Sequence, residues 1–143
     1  MRLSRRDLSK FAQTKEKLEN IGSTTVCVEP ANRYVSEAVE MLQRNNPDVL
    51  HDITDIRTDL DKGVYGEYIP DSPHSVHLNM TKIESKVKSE LSGQPQQDID
   101  IEIVRQTAMV ISHESGHQHG YTNYKDTSEA PAEQRENETR KKI

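Results

Sequence analysis

Cysteine is almost missing from this chain. Cys27 is the single one in 143 residues, so no disulfide can form within it. Aromatic residues are scarce too: Phe11 and five tyrosines are the whole set, and apolar residues make up only 31%. A core built from so little is thin. That suits a small protein with a shallow cleft, or one that gains stability from a bound metal or a partner. No stretch is long and apolar enough to span a bilayer, so a membrane is not expected as a partner. No internal repeat or low-complexity tract is present. The formal net charge is -5 with both signs mixed along the chain, and no basic stripe marks a nucleic-acid binder. Cys27 sits in the apolar run Val26-Cys27-Val28, which reads as a small buried hydrophobe rather than a nucleophile.

The length fits one domain, with residues 1–22 as an N-terminal helix and 23–143 as the single folded unit. Arg5 and Arg6 resemble the start of a twin-arginine export signal, but Gln13-Thr14-Lys15-Glu16-Lys17 stands where the apolar region should come next. The expectation is an ordinary charged helix over residues 5–20 and an intracellular, cytoplasmic protein. Thr24 to Val28 is rich in β-formers and predicts a strand closed by Pro30. Val35, Ala38, Val39 and Leu42 make a helical stripe within residues 31–45, ended by Asn45-Asn46-Pro47-Asp48. Residues 53–58 and 64–69 read as two strands around the turn Asp59 to Gly63, which predicts a hairpin. His74 to Met80 alternates as a short strand, Lys82 to Leu91 as a polar helix, and Ile99 to His119 as a long helix. The result is an α+β layout, with a small twisted sheet, a backing helix and a late helix that carries the chemistry.

That chemistry lies in His113-Glu114-Ser115-Gly116-His117, an H-E-x-x-H pattern. Residues four apart share one helix face, so both imidazoles can reach one metal ion. Glu114 sits one step round the helix, where it can hold a water beside that metal and take its proton. Zinc is the expected cofactor, because it lowers the pKa of bound water to about 7. Gly120 is expected to take positive φ and end the helix. His119 points off the face of His113 and His117, which predicts a surface or supporting role. Tyr121 and Tyr124 are candidates to steady an oxyanion, or simply pack. His74 and His77 flank the short strand, and His51 carries no signal.

With these residues the chain resembles the zincin metallopeptidases. The resemblance covers the layout from residue 24 to 138 and rests specifically on the motif and the residues downstream of it, Gly120 to Glu138. It implies a zincin-like fold, with a twisted sheet, a backing helix and an active-site helix. It also implies a lone edge strand, here His74 to Met80, that pairs with a peptide or protein substrate. Which branch applies depends on the third ligand. His113-Glu114-x-x-His117-x-x-Gly120 begins like a metzincin, but that group needs His or Asp where Asn123 stands, and a methionine turn downstream. Met1, Met41, Met80 and Met109 all precede Gly120. The chain is closer to a minimal gluzincin, which takes a glutamate ligand from a C-terminal helix. Pro131 suits the first turn of such a helix, with Asp126 or Ser128 near its cap. Glu133 is the expected ligand, paired with Asn137 where the group often has an acidic residue. Glu136 is second and Glu129 third, Glu138 is the remaining candidate, and three of these four glutamates must be solvated helix charges.

The resemblance thus implies a zinc-dependent metallopeptidase held by His113, His117 and Glu133, with Glu114 as general base. The competing expectation is a catalytically silent zincin-fold module that binds metal or a partner protein.

Overall fold

The computed structural model describes residues 26–71 and 74–143. The helix expected over residues 5–20, and the Thr24-Thr25 start of the first strand, lie outside them. The described chain forms β1 (Cys27–Glu29), α1 (Arg33–Asn45), α2 (Asp48–His51), β2 (Asp55–Arg57), β3 (Gly66–Tyr68), β4 (Ser75–Leu78), α3 (Met80–Glu90), α4 (Gln96–Tyr124) and α5 (Ala130–Lys142). This is an α+β arrangement, with a small mixed sheet of four strands and five helices. No helix among the described residues is long and apolar enough to cross a membrane.

Local chemistry explains where the elements begin and end. Asn32 caps α1, its side-chain oxygen accepting from the N–H groups of Tyr34 and Val35 at 3.0 and 3.1 Å. The stripe Val35, Ala38, Val39 and Leu42 is buried. Asn79 caps α3 by accepting from the Lys82 N–H at 3.0 Å, and Met80, Ile83 and Val87 form the inward face of that helix. Pro95 precedes α4, and Lys125 ends it with φ 54. The helix therefore runs past Gly120, which does not take positive φ.

Gly116 and Gly120 serve instead to admit α5. A Cβ on Gly116 would lie 2.5 Å from the Pro131 carbonyl oxygen and 2.6 Å from the Ala132 Cα, and one on Gly120 would lie 2.6 Å from the Pro131 ring. Only hydrogen at both positions lets the two backbones approach so closely. α5 then runs back antiparallel along α4. Ser112 Oγ meets Thr139 Oγ1 at 2.7 Å, and the same Thr139 hydroxyl accepts from Asn46 Nδ2 at 3.0 Å.

The sheet order is β1-β2-β4-β3, with β1, β2 and β4 parallel and β3 antiparallel to β4. Two expectations are corrected here. Residues 53–58 and 64–69 do not pair as a hairpin, because β4 lies between β2 and β3. The segment His74 to Met80 is not an edge either, because β4 is paired on both sides; the antiparallel edge is β3. Burial accounts for this. Ser75, Val76 and Leu78 of β4 are all buried, as an inner strand requires, whereas every residue of β3 is half-buried. The core joins Ile56, Val76 and Leu78 of the sheet to Val35 and Leu42 of α1 and to Ile103, Val104 and Ile111 of α4.

Candidate metal centre

Two helices and the edge strand build the site. His113 and His117 lie one turn apart on α4, their ring centroids 5.0 Å apart and the rings 75° from coplanar. Glu129, immediately before α5, reaches both. One carboxylate oxygen lies 3.1 Å from His113 Nε2 and the other 2.9 Å from His117 Nε2. Among the described residues, His113, His117 and Glu129 form the one group whose ligand atoms, all within 4.8 Å of one another, could hold a metal ion. Two imidazole nitrogens and a carboxylate, with a fourth position open, suit a catalytic zinc site.

The structure does not bring Glu133 to this group. The helical stripe Glu129, Ala132, Glu136 and Thr139 faces α4, with Ala132 and Thr139 buried. Glu133 falls beside that stripe and is exposed. Glu136 supports the site instead, its Oε1 2.9 Å from His113 Nδ1. With a metal at Nε2, that contact would keep the proton on Nδ1 and fix the ring's orientation. Arg140 in turn holds Glu136, donating to its other oxygen at 2.6 Å. The sequence places Glu129 third because Glu133 is the one paired with Asn137 four residues on. The signal that could have found it is Ala132, whose small apolar side chain marks the inward face of an otherwise polar segment.

His117 is oriented differently. Its Nδ1 is buried without a hydrogen-bond partner among the described residues, and its ring stacks on Tyr68 of β3 at 5.1 Å and 10°. Stacking thus sets a ring plane that a hydrogen bond usually fixes in zinc histidines. Burial pushes the His117 pKa below its ordinary value, with His113 lowering it further against an opposing Glu129. The ring is therefore neutral at pH 7, as a ligand must be. Tyr68 carried no signal in the sequence beyond its place in a β-rich run.

Glu114 is 8% exposed. Burial, opposed by His113 and reinforced by Glu129, Glu67 and Glu136, pushes its pKa up to about 7. A dication beside it would favour the ionised form again. Above it runs β3. A Cβ on Gly66 would lie 2.7 Å from the Val110 side chain and 3.3 Å from the Glu114 Cγ, so glycine lets the strand pass directly over the helix. The Asn79 N–H donates to the Tyr65 carbonyl at 2.9 Å and the Ile69 N–H to the Ser75 carbonyl at 2.8 Å. By strand alternation, the main-chain groups of Gly66 and Tyr68 point away from β4, along an edge that no strand among the described residues pairs.

The other candidates lie off this centre. Tyr124 is 73% exposed, with its ring against His119. Tyr121 carries Lys125 Nζ 4.9 Å over its ring. His119 Nδ1 is 3.2 Å from Asp52, which also holds Arg135 at 2.6 Å on the opposite flank of α4. His51 pairs with Asp48 and His77 with Glu67, both at 3.6 Å. Cys27 is half-buried and within 3.9 Å of Glu29. Comparison of the chain with family models, with curated proteins and with solved structures finds no match.

Proposed function

We propose that this chain is a small zinc-dependent metallopeptidase of gluzincin type, with a zincin-like arrangement of its sheet and its two site helices. One observation carries the reading: the ligand atoms of His113, His117 and Glu129 converge within 4.8 Å beside a buried Glu114 and beneath an antiparallel edge left unpaired among the described residues. The reading moves the third ligand from Glu133 to Glu129.

Zinc held by these three residues would polarise a substrate carbonyl and bring the pKa of a bound water to about 7. The protein supplies the rest. A peptide adds to the edge of β3 through the outward main-chain groups of Gly66 and Tyr68, which fixes its carbonyl over α4. Glu114 takes a proton from the attacking water and delivers it to the leaving amine. Glu136, braced by Arg140, keeps His113 in one tautomer. Tyr68 holds the His117 ring by stacking.

Glu114→Gln tests the reading. It should bind zinc as the wild type does and lower peptide hydrolysis by about 10²–10⁴-fold. Hydrolysis at the wild-type rate in that variant would remove the mechanism. Zinc binding with no hydrolysis in the wild type would favour the catalytically silent module.

A further inference from the structure

Beside Glu114, on the His113 flank, a cavity of about 330 Å³ opens under β3, lined by Tyr65, Gly66, Lys86, Met109 and Val110. Met109 and Val110 give it an apolar wall, Glu114, Glu136 and Arg140 also line it, and Lys86 stands at its rim. Lys82 and Lys86 stand one turn apart on α3, with their ammonium groups 4.7 and 5.4 Å from the centroid of the same Tyr65 ring. Like charges at that spacing repel. Neither lysine has a carboxylate within 4.0 Å among the described residues, whereas Lys88 on the same helix pairs with Glu84.

The other charges at the cavity are committed. Glu136 gives one oxygen to His113 and the other to Arg140, and Arg140 also donates to Asn137 at 2.8 Å. The Gln106 amide donates to Glu102 at 2.8 Å. Lys86, with Lys82 one turn before it on the same Tyr65 ring, thus has no carboxylate partner of its own at the mouth of a partly apolar slot, next to the edge that would take the substrate backbone.

We infer that this cavity is a specificity pocket for a carboxylate-bearing residue of the substrate, its methylenes against Met109, Val110 and the Tyr65 ring and its carboxylate at Lys86, with Lys82 adding positive charge from beside the Tyr65 ring. The inference rests on the peptidase reading for its setting, but the pocket's affinity does not depend on turnover. A glutamate side chain and a free C-terminal carboxylate offer the same chemistry, and an experiment can separate them.

The test is calorimetric binding of short peptides to the full chain carrying Glu114→Gln, with and without added zinc. The peptides differ at one position, Glu, Gln or Lys, and each is made with a free and an amidated C-terminus. The Glu peptide should bind about tenfold tighter than the Gln peptide, and less so as salt rises. If amidation rather than Glu-to-Gln exchange weakens binding, the terminus supplies the carboxylate. The double change Lys82→Gln and Lys86→Gln should erase the preference. Lys82→Glu with Lys86→Glu should turn it toward the Lys peptide. Lys86 is exposed and Lys82 half-buried, and a thermal melt checks that each variant folds. Equal binding of all peptides, no measurable binding of any, or a preference that survives both double changes would overturn the inference. Selective binding without cleavage by the zinc-loaded wild type would leave the pocket standing and remove the peptidase; cleavage indifferent to carboxylates would do the reverse.

Discussion

Glu129 and Glu133 are one helical turn apart, and that turn decides which faces the histidines. Glu129 Oε2 lies 2.9 Å from His117 Nε2, while Glu133 is exposed. Glu129→Ala should therefore abolish tight zinc binding, and Glu133→Ala should leave it unchanged. Glu136→Ala removes the partner of His113 Nδ1, and with it that of Arg140, and should weaken zinc by about 10–100-fold. Competition with a chromogenic chelator measures all three, and a loss at Glu133 equal to that at Glu129 would refute the assignment. The pair His113 and His117 and the neighbouring Glu114 were legible in the sequence because a fixed helical spacing alone brings them together. Glu129 was not, because its position depends on where α4 stops. The chain reverses after Lys125 rather than at Gly120, and that reversal brings the residue just before α5 back over the imidazoles. Tyr68 was equally hidden, since a stack between a strand and a helix leaves no periodic trace.

Among the elements, the contact of α4 with α5 is the one that builds the site. Gly116→Ala would drive a methyl into the Pro131 carbonyl and the Ala132 backbone, which cannot yield as a flexible side chain does. The expected cost is about 1–3 kcal/mol with weaker zinc binding. Gly63→Ala, with nothing within 4 Å of its Cβ, should be nearly neutral in the same thermal denaturation. Thr139→Val would leave the buried side chains of Ser112 and Asn46 without their shared partner, at about 1–3 kcal/mol. Helix α1 and the long run of α4 were readable from their apolar stripes and their flanking Asn and Pro residues. Strand order was not. Neighbours in sequence, 53–58 and 64–69, looked like a hairpin, yet the apolar Val76 and Leu78 claim the inner position and push Gly66-Glu67-Tyr68 to the edge. Alternation tells which face a residue takes and is silent on which strand it joins.

For the whole molecule, a thin core makes bound metal a visible share of stability. Zinc at a hundredfold over its Kd should add about 2.7 kcal/mol, and a chelator should lower the melting temperature of the loaded protein. Zinc binding should also weaken in acid, because protons compete with the metal for its ligands. A separate pH dependence comes from Tyr34. Burial, with the Asp100 carboxylate it donates to at 2.9 Å, holds its phenol above the ordinary value. The folded state keeps that proton more tightly than the unfolded chain. Its contribution is therefore whole below about pH 10 and is lost as pH rises through the folded value. Tyr34→Phe should flatten the alkaline limb of a stability–pH curve. The α+β class itself was legible, since helical and strand periods alternate clearly in the sequence. Beneath these effects lies the claim that the chain builds a metal site, and elemental mass spectrometry of the purified, zinc-reconstituted and desalted protein tests it most directly. The account predicts about one zinc ion per chain; a protein that retains none would contradict it.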